Sequence, residues 1–124
     1  MPERIAQAVP REFLNLALSL TEIAAPIINE AFSSSRLRVD EKIDRSPVTQ
    51  ADRDAEEAMR NAIRKKAPTH GIIGEEFGEE KPDAEWVWVL DPIDGTLAFI
   101  HGVPLFTTLI GLLYKGYPVL GIIY

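Results

Sequence analysis

Apolar positions recur along the first third of the chain at alternating steps of four and three. Phe13, Ala17, Leu20, Ala24, Ile27 and Ala31 thereby fall on one face of an amphipathic helix. Pro26 interrupts that face, which predicts a kink near Glu22 or a helix resumed from a first-turn proline, ending at Ser33-Ser34-Ser35. Leu37 to Ile43 alternates as a short strand and leads to a turn at Asp44-Arg45-Ser46-Pro47. Thr49, placed before Asp52 in the manner of a capping box, opens a second helix with Ala51, Ala55, Ala58, Met59, Ala62 and Ile63 on its buried face. Lys65-Lys66 suit the negative end of that helix, and Pro68 stops it. Gly71-Ile72-Ile73-Gly74 reads as a short buried strand, followed by Glu75-Glu76 and a polar loop from Gly78 to Glu85. Trp86-Val87-Trp88-Val89-Leu90 is the clearest strand; Trp86 and Trp88 share one face and are expected to pack there. It runs into Asp91-Pro92-Ile93-Asp94-Gly95-Thr96, with a helical turn expected over Leu97 to His101. Leu105 to Leu113 and Val119 to Tyr124 read as paired strands joined by Tyr114-Lys115-Gly116-Tyr117. Two helices followed by a run of strands predict an α+β layered domain, with the N-terminal helices packed on a largely antiparallel sheet.

Composition narrows the function classes. Across 124 residues, 46% are hydrophobic and 26% charged, the balance of a globular chain and not of a disordered one. A net charge of -6 repels phosphate backbones, so nucleic acid is not an expected partner. Cysteine is absent, which excludes disulfides and thiolate metal sites and suits the reducing cytoplasm. The start lacks a signal-peptide layout, and the apolar stretch Val103 to Tyr114 is interrupted by Pro104, Thr107 and Thr108 and too short to span a bilayer. Neither a membrane nor an export route is expected. The chain stops inside the strand-like segment Pro118 to Tyr124, which suggests the first part of a longer protein.

Candidate chemistry gathers just past the clearest strand. Asp91 and Asp94 are separated only by Pro92 and Ile93, Gly95 permits a sharp turn, and Thr96 can start a helix. Two hard oxygen ligands would then stand beside helix N–H groups suited to a phosphate, with the Ile93 carbonyl as a third oxygen. Taken alone, the same string reads equally well as a turn. Other acids shift the balance: Glu75 ends the preceding strand and could lie beside Asp91, and Asp52 could approach from the flank. Carboxylates gathered at one point repel unless a cation neutralises them, and oxygen donors without His or Cys favour Mg²⁺ over zinc. Glu76 is placed to support Glu75 or to face water, while His70 is expected at the surface and His101 at the surface or a helix end.

The string Trp88-Val89-Leu90-Asp91-Pro92-Ile93-Asp94-Gly95-Thr96, followed by Phe99, Gly102, Pro104 and Phe106, resembles the central signature of the inositol monophosphatase family. Pro47-Val48-Thr49-Gln50-Ala51-Asp52 and Gly74-Glu75-Glu76 resemble its two upstream motifs, in the same order. Phe99-Ile100, Pro104-Leu105-Phe106 and Thr108-Leu109-Ile110 look closest to its histidinol-phosphate phosphatase branch. The resemblance implies the α/β sandwich shared with fructose-1,6-bisphosphatase, with residues 1–124 as the N-terminal part of a metal-dependent phosphatase domain whose C-terminal half is absent. It implies a phosphomonoesterase using two or three Mg²⁺ ions, with Mn²⁺ as a substitute. Glu75, Asp91, Asp94 and the Ile93 carbonyl would be metal ligands. Asp94, Gly95 and Thr96 would hold the phosphate, Thr96 would orient the attacking water, and Asp52 with Thr49 would serve a further metal or its water. Lys42 falls near the position of a lysine in the family's mobile flap. The implied substrate is a small phosphorylated polyol or amino alcohol, inositol monophosphate or histidinol phosphate, and the implied assembly is a homodimer. The competing readings are a sugar or nucleotide bisphosphate phosphatase of the same superfamily and a non-catalytic relative that keeps the scaffold. Lacking the second half, the isolated stretch would itself be inactive.

Overall fold

The structure, a computed structural model, describes residues 9–37, 46–94 and 107–124. Two helices, α1 (Arg11–Leu37) and α2 (Ser46–Lys66), are followed by five strands: β1 (Gly71–Gly74), β2 (Gly78–Glu80), β3 (Trp86–Asp94), β4 (Thr107–Tyr114) and β5 (Tyr117–Ile123). The strands form one sheet in the order β2-β1-β3-β4-β5. Its pairings are antiparallel except β1 with β3, which run parallel. The expected layered α+β architecture is therefore present, on a mixed sheet. Among the described residues, no helix is long and apolar enough to cross a membrane.

Helix periodicity sets the layer interface. Leu20, Ala24 and Ile28 of α1 and Ala51, Ala55, Met59 and Ile63 of α2 are buried in one cluster with Ile72, Trp88, Leu90, Ile110 and Leu112 of the sheet. Burial of each such Leu or Ile is worth ~1.5–3 kcal/mol, so this stripe holds the helices to the strands. Alanines let the two helices approach each other closely.

Several boundaries differ from the sequence expectation. α1 passes through both Pro26 and the serine triplet to end at Leu37. Pro26 and Glu22, whose carbonyl loses the proline's missing donor, are both exposed, so water can take that carbonyl. α2 begins at Ser46, not Thr49: Pro47 sits in the first turn, where its fixed φ suits a helix and its absent N–H has no partner to lose. Gly78–Glu80, read as loop because every side chain there is polar or absent, instead pairs antiparallel with β1. The loop between β4 and β5 is as expected, with Lys115 (φ 50) and Gly116 (φ 85) in the left-handed region that a tight two-residue hairpin requires. The strand expected beyond Leu37, Lys42, the turn at Asp44 and Arg45, and everything from Gly95 to Phe106, including the helical turn to His101, lie outside the described residues.

His70 corrects a further expectation. It is buried just before β1, with its Nδ1 accepting from the Trp88 Nε1–H at 3.0 Å. Phe13 meets its ring edge-on at 4.7 Å, and Trp86 in turn contacts Phe13 and Tyr114. Burial lowers the His70 pKa, which keeps the ring neutral and able to accept. This aromatic cluster anchors α1 to the sheet at the end of β1 opposite Glu75, away from the acids.

Candidate metal and phosphate site

The acids meet at the carboxyl ends of the one parallel strand pair. Gly74 of β1 lies opposite Leu90 of β3, so Glu75 and Asp91 are the next residues on neighbouring strands. In parallel sheets that edge is where the chain leaves the strands and ligand sites form. Asp91 then pairs with Leu109 but Asp94 with Thr107, so three steps along β3 match two along β4. The extra residue is a β-bulge. Positions three apart on an unbroken strand face opposite sides, and one inserted residue restores them to the same side. Leu90 and Ile93, also three apart, confirm the change of parity, since both are buried in the helix-facing core. The bulge is secured by Thr108, whose Oγ1–H donates to the Pro92 carbonyl at 2.8 Å.

Asp52 joins from α2, where it sits inside the helix and not at its opening, and is only 7% exposed. Burial first, then the charges of Glu76, Asp91, Glu75 and Glu56, push its pKa up to about 7. Burial, then Glu75, Asp94 and Glu56, likewise push Asp91 up to about 6. Asp91 thus lies within electrostatic reach of Asp94, from its own stretch of sequence, and of Asp52 and Glu75, assigned from others. Asp52 and Asp91 each also keep a buried Oδ1 with no hydrogen-bond partner. Such oxygens cost roughly 1–3 kcal/mol apiece unless something satisfies them. Their neighbours are acids, which have no proton to give when ionised, so a hard divalent cation fits this donor set. Among the described residues, no three of these side chains close on one point as a finished metal cage. Ile93 has its side chain buried, Asp94 is exposed, and Thr49 lies in the first turn of α2. Gly95 and Thr96 lie outside the described residues.

Sequence reasoning missed Glu56 and Arg60. Glu56 is fully buried and Arg60 nearly so, and Arg60 Nε donates to Glu56 Oε2 at 3.0 Å. Asp52, Glu56 and Arg60 recur every four residues beside the Ala55–Met59 stripe, and the acid-to-base spacing was the available signal.

Two helices on a sheet that collects carboxylates at the ends of its parallel strand pair define the class of fold, and the comparisons narrow it. The sequence model described as the inositol monophosphatase family matches residues 9–124, and the chain belongs to that family. A histidinol-phosphatase of Chlorobaculum parvum is 46% identical over 110 residues, covering 89% of this chain and 42% of the relative. The chloroplastic bifunctional phosphatase IMPL2 of Arabidopsis thaliana is 44% identical over 124 residues, covering 98% and 36% respectively. Among solved structures, an inositol monophosphatase from Zymomonas mobilis superposes with a TM-score of 0.74 at 49% identity, covering 91% of this chain and 43% of that one. The chain spans roughly two fifths of the length of these relatives, as their 42% and 36% coverage gives.

Proposed function

We propose that this chain supplies the acid cluster of a Mg²⁺-dependent phosphate monoester hydrolase. The observation that carries the reading is the pair of buried, unpartnered carboxylate oxygens on Asp52 and Asp91, beside Glu75 and Asp94. Glu75, Asp91, Asp94 and the Ile93 carbonyl would hold the ions, with Asp52 and Thr49 serving a further one. When bound, the ions supply charge neutralisation for the phosphate and leaving oxygen and acidify the attacking water. The chain's own part is positioning: backbone N–H groups of Gly95 and Thr96 hold the phosphate, and the Thr96 hydroxyl orients the water. Glu75 accepts the proton of that water as its oxygen bonds to phosphorus and the ester P–O bond breaks. No protein nucleophile is needed, in keeping with a chain that has no cysteine.

The substrate we assign is a small amino-alcohol or polyol phosphate, histidinol phosphate before inositol monophosphate. The 46% identity to the Chlorobaculum parvum histidinol-phosphatase supports that order. Phosphate release from both esters by the full-length parent protein, with Mg²⁺ and with EDTA, tests the reading. Asp91→Asn is expected to abolish the Mg²⁺-dependent release, and near-wild-type turnover in that variant would remove the cation mechanism. From the family resemblance we further assign a homodimer, which sedimentation at micromolar protein checks.

A further inference from the structure

We propose that Glu56 is a positioning residue for Glu75, acting with Arg60 as a clamp on the turn that carries it. This rests on the reading that Glu75 is a metal ligand. Glu56 sits in the acid cluster, yet its oxygens are engaged where those of Asp52 and Asp91 are not. Oε1 accepts the Glu76 N–H at 3.1 Å, and Oε2 accepts both the Phe77 N–H at 3.0 Å and the Arg60 Nε–H at 3.0 Å. Arg60 continues the grip: its Nη2 donates to the Gly78 carbonyl, and its Nη1 lies 3.6 Å from Glu80 Oε1. On the near side of Glu75, a Cβ on Gly74 would collide with the Glu56 carboxylate, so that carboxylate rests against the bare backbone. Glu75 is thus bracketed by contacts to one side chain, from the residue before it and from the two residues after it.

A buried ion pair is a poor way to gain stability, because well-packed apolar side chains hold a helix to a hairpin as well or better. What the Glu56–Arg60 pair provides, and apolar packing does not, is a fixed direction for the backbone amides of residues 76 and 77. Fixing those amides sets the backbone from which the Glu75 carboxylate projects. Partners of this kind orient ligands at metal sites generally, and losing one weakens metal affinity by roughly 10- to 100-fold.

The test uses the purified protein with Mn²⁺ as the probe, titrated by electron paramagnetic resonance, together with amide hydrogen exchange. Glu56→Gln replaces one acceptor with a donor that faces donors. Gly74→Ala pushes the carboxylate aside without altering any charge. Both variants are expected to bind Mn²⁺ roughly 10- to 100-fold more weakly. Both should also lose protection at the Glu76 and Phe77 amides while the β3 amides stay protected. Arg64→Gln, which removes the exposed contacts to Glu80 and Asn61, should bind as wild type. In the metal-free wild type, the Glu76 and Phe77 amides should already exchange slowly, a result that needs no variant. Fast exchange there, or unchanged Mn²⁺ affinity in the folded variants, overturns the clamp alone. A wild-type protein that binds no Mn²⁺ overturns both the clamp and the proposed function.

Discussion

Replacing Asp52 with asparagine asks whether the acid cluster opposes folding when no cation is bound. Asp52 is held at about 7 against an ordinary 3.8, mainly by burial and then by its acidic neighbours. A carboxyl whose pKa rises on folding favours the protonated native state. Its contribution to stability is fully present below pH 3.8 and is lost as the pH climbs through about 7. At 1.36 kcal/mol per pH unit, a rise of about three units corresponds to a ceiling of ~4 kcal/mol. Asp91 shares in that repulsion and is itself raised to about 6, so the two acids titrate as a coupled pair. We therefore expect about 2–4 kcal/mol from Asp52→Asn, since asparagine has nearly the same shape and no charge. The assay is urea denaturation in EDTA across pH 4 to pH 8. The variant should be more stable than wild type at pH 8, and the two should converge at pH 4. Added Mg²⁺ should then stabilise wild type far more than the variant. A variant no more stable than wild type at pH 8 without metal refutes the reasoning.

Other expectations follow from the same geometry. Mg²⁺ affinity, read by calorimetry, should climb with pH up to about 7 and then level, because binding must displace protons from Asp91 and Asp52. Trp88→Phe removes the indole N–H that donates to the buried His70 Nδ1 and should cost ~1–3 kcal/mol in denaturant unfolding. That variant should leave the Mn²⁺ affinity unchanged, since His70 lies at the far end of β1. Gly116→Ala places a Cβ at φ 85 and should cost ~1–2 kcal/mol. By contrast Lys115→Asn, which tolerates φ 50 better, should raise the melting temperature slightly.

The sequence made some of this legible because the relevant signals are local. Helical spacing marked both helices, and the apolar burst from Trp86 to Leu90 marked β3. Four acids of the cluster could be named because each lies in or beside an element whose periodicity was clear. What was hidden depends on partners distant in sequence. β2 has no apolar side chain and exists as a strand because β1 offers it backbone hydrogen bonds. Glu56 resembles any solvent-facing helix acid until the 75–77 turn folds over it. His70 looked like a loop residue because nothing nearby in sequence announces Trp88 as its donor. The serine triplet failed as a stop signal because serine's preference against the helix interior is weak.

The bulge in β3 makes chain length, as much as residue identity, a requirement of the signature. Deleting Pro92 or Ile93 would mend the ladder between β3 and β4, bringing two steps against two. The mended strand would keep both acids on one side, two steps apart as on any regular strand, yet would bring them closer along it and lose one of the two residues the bulge carries between them. Substitutions along Asp91–Asp94 can therefore be judged one side chain at a time. A single-residue deletion there removes the extra length that sets the spacing of the two acids, and would look harmless to anyone counting carboxylates.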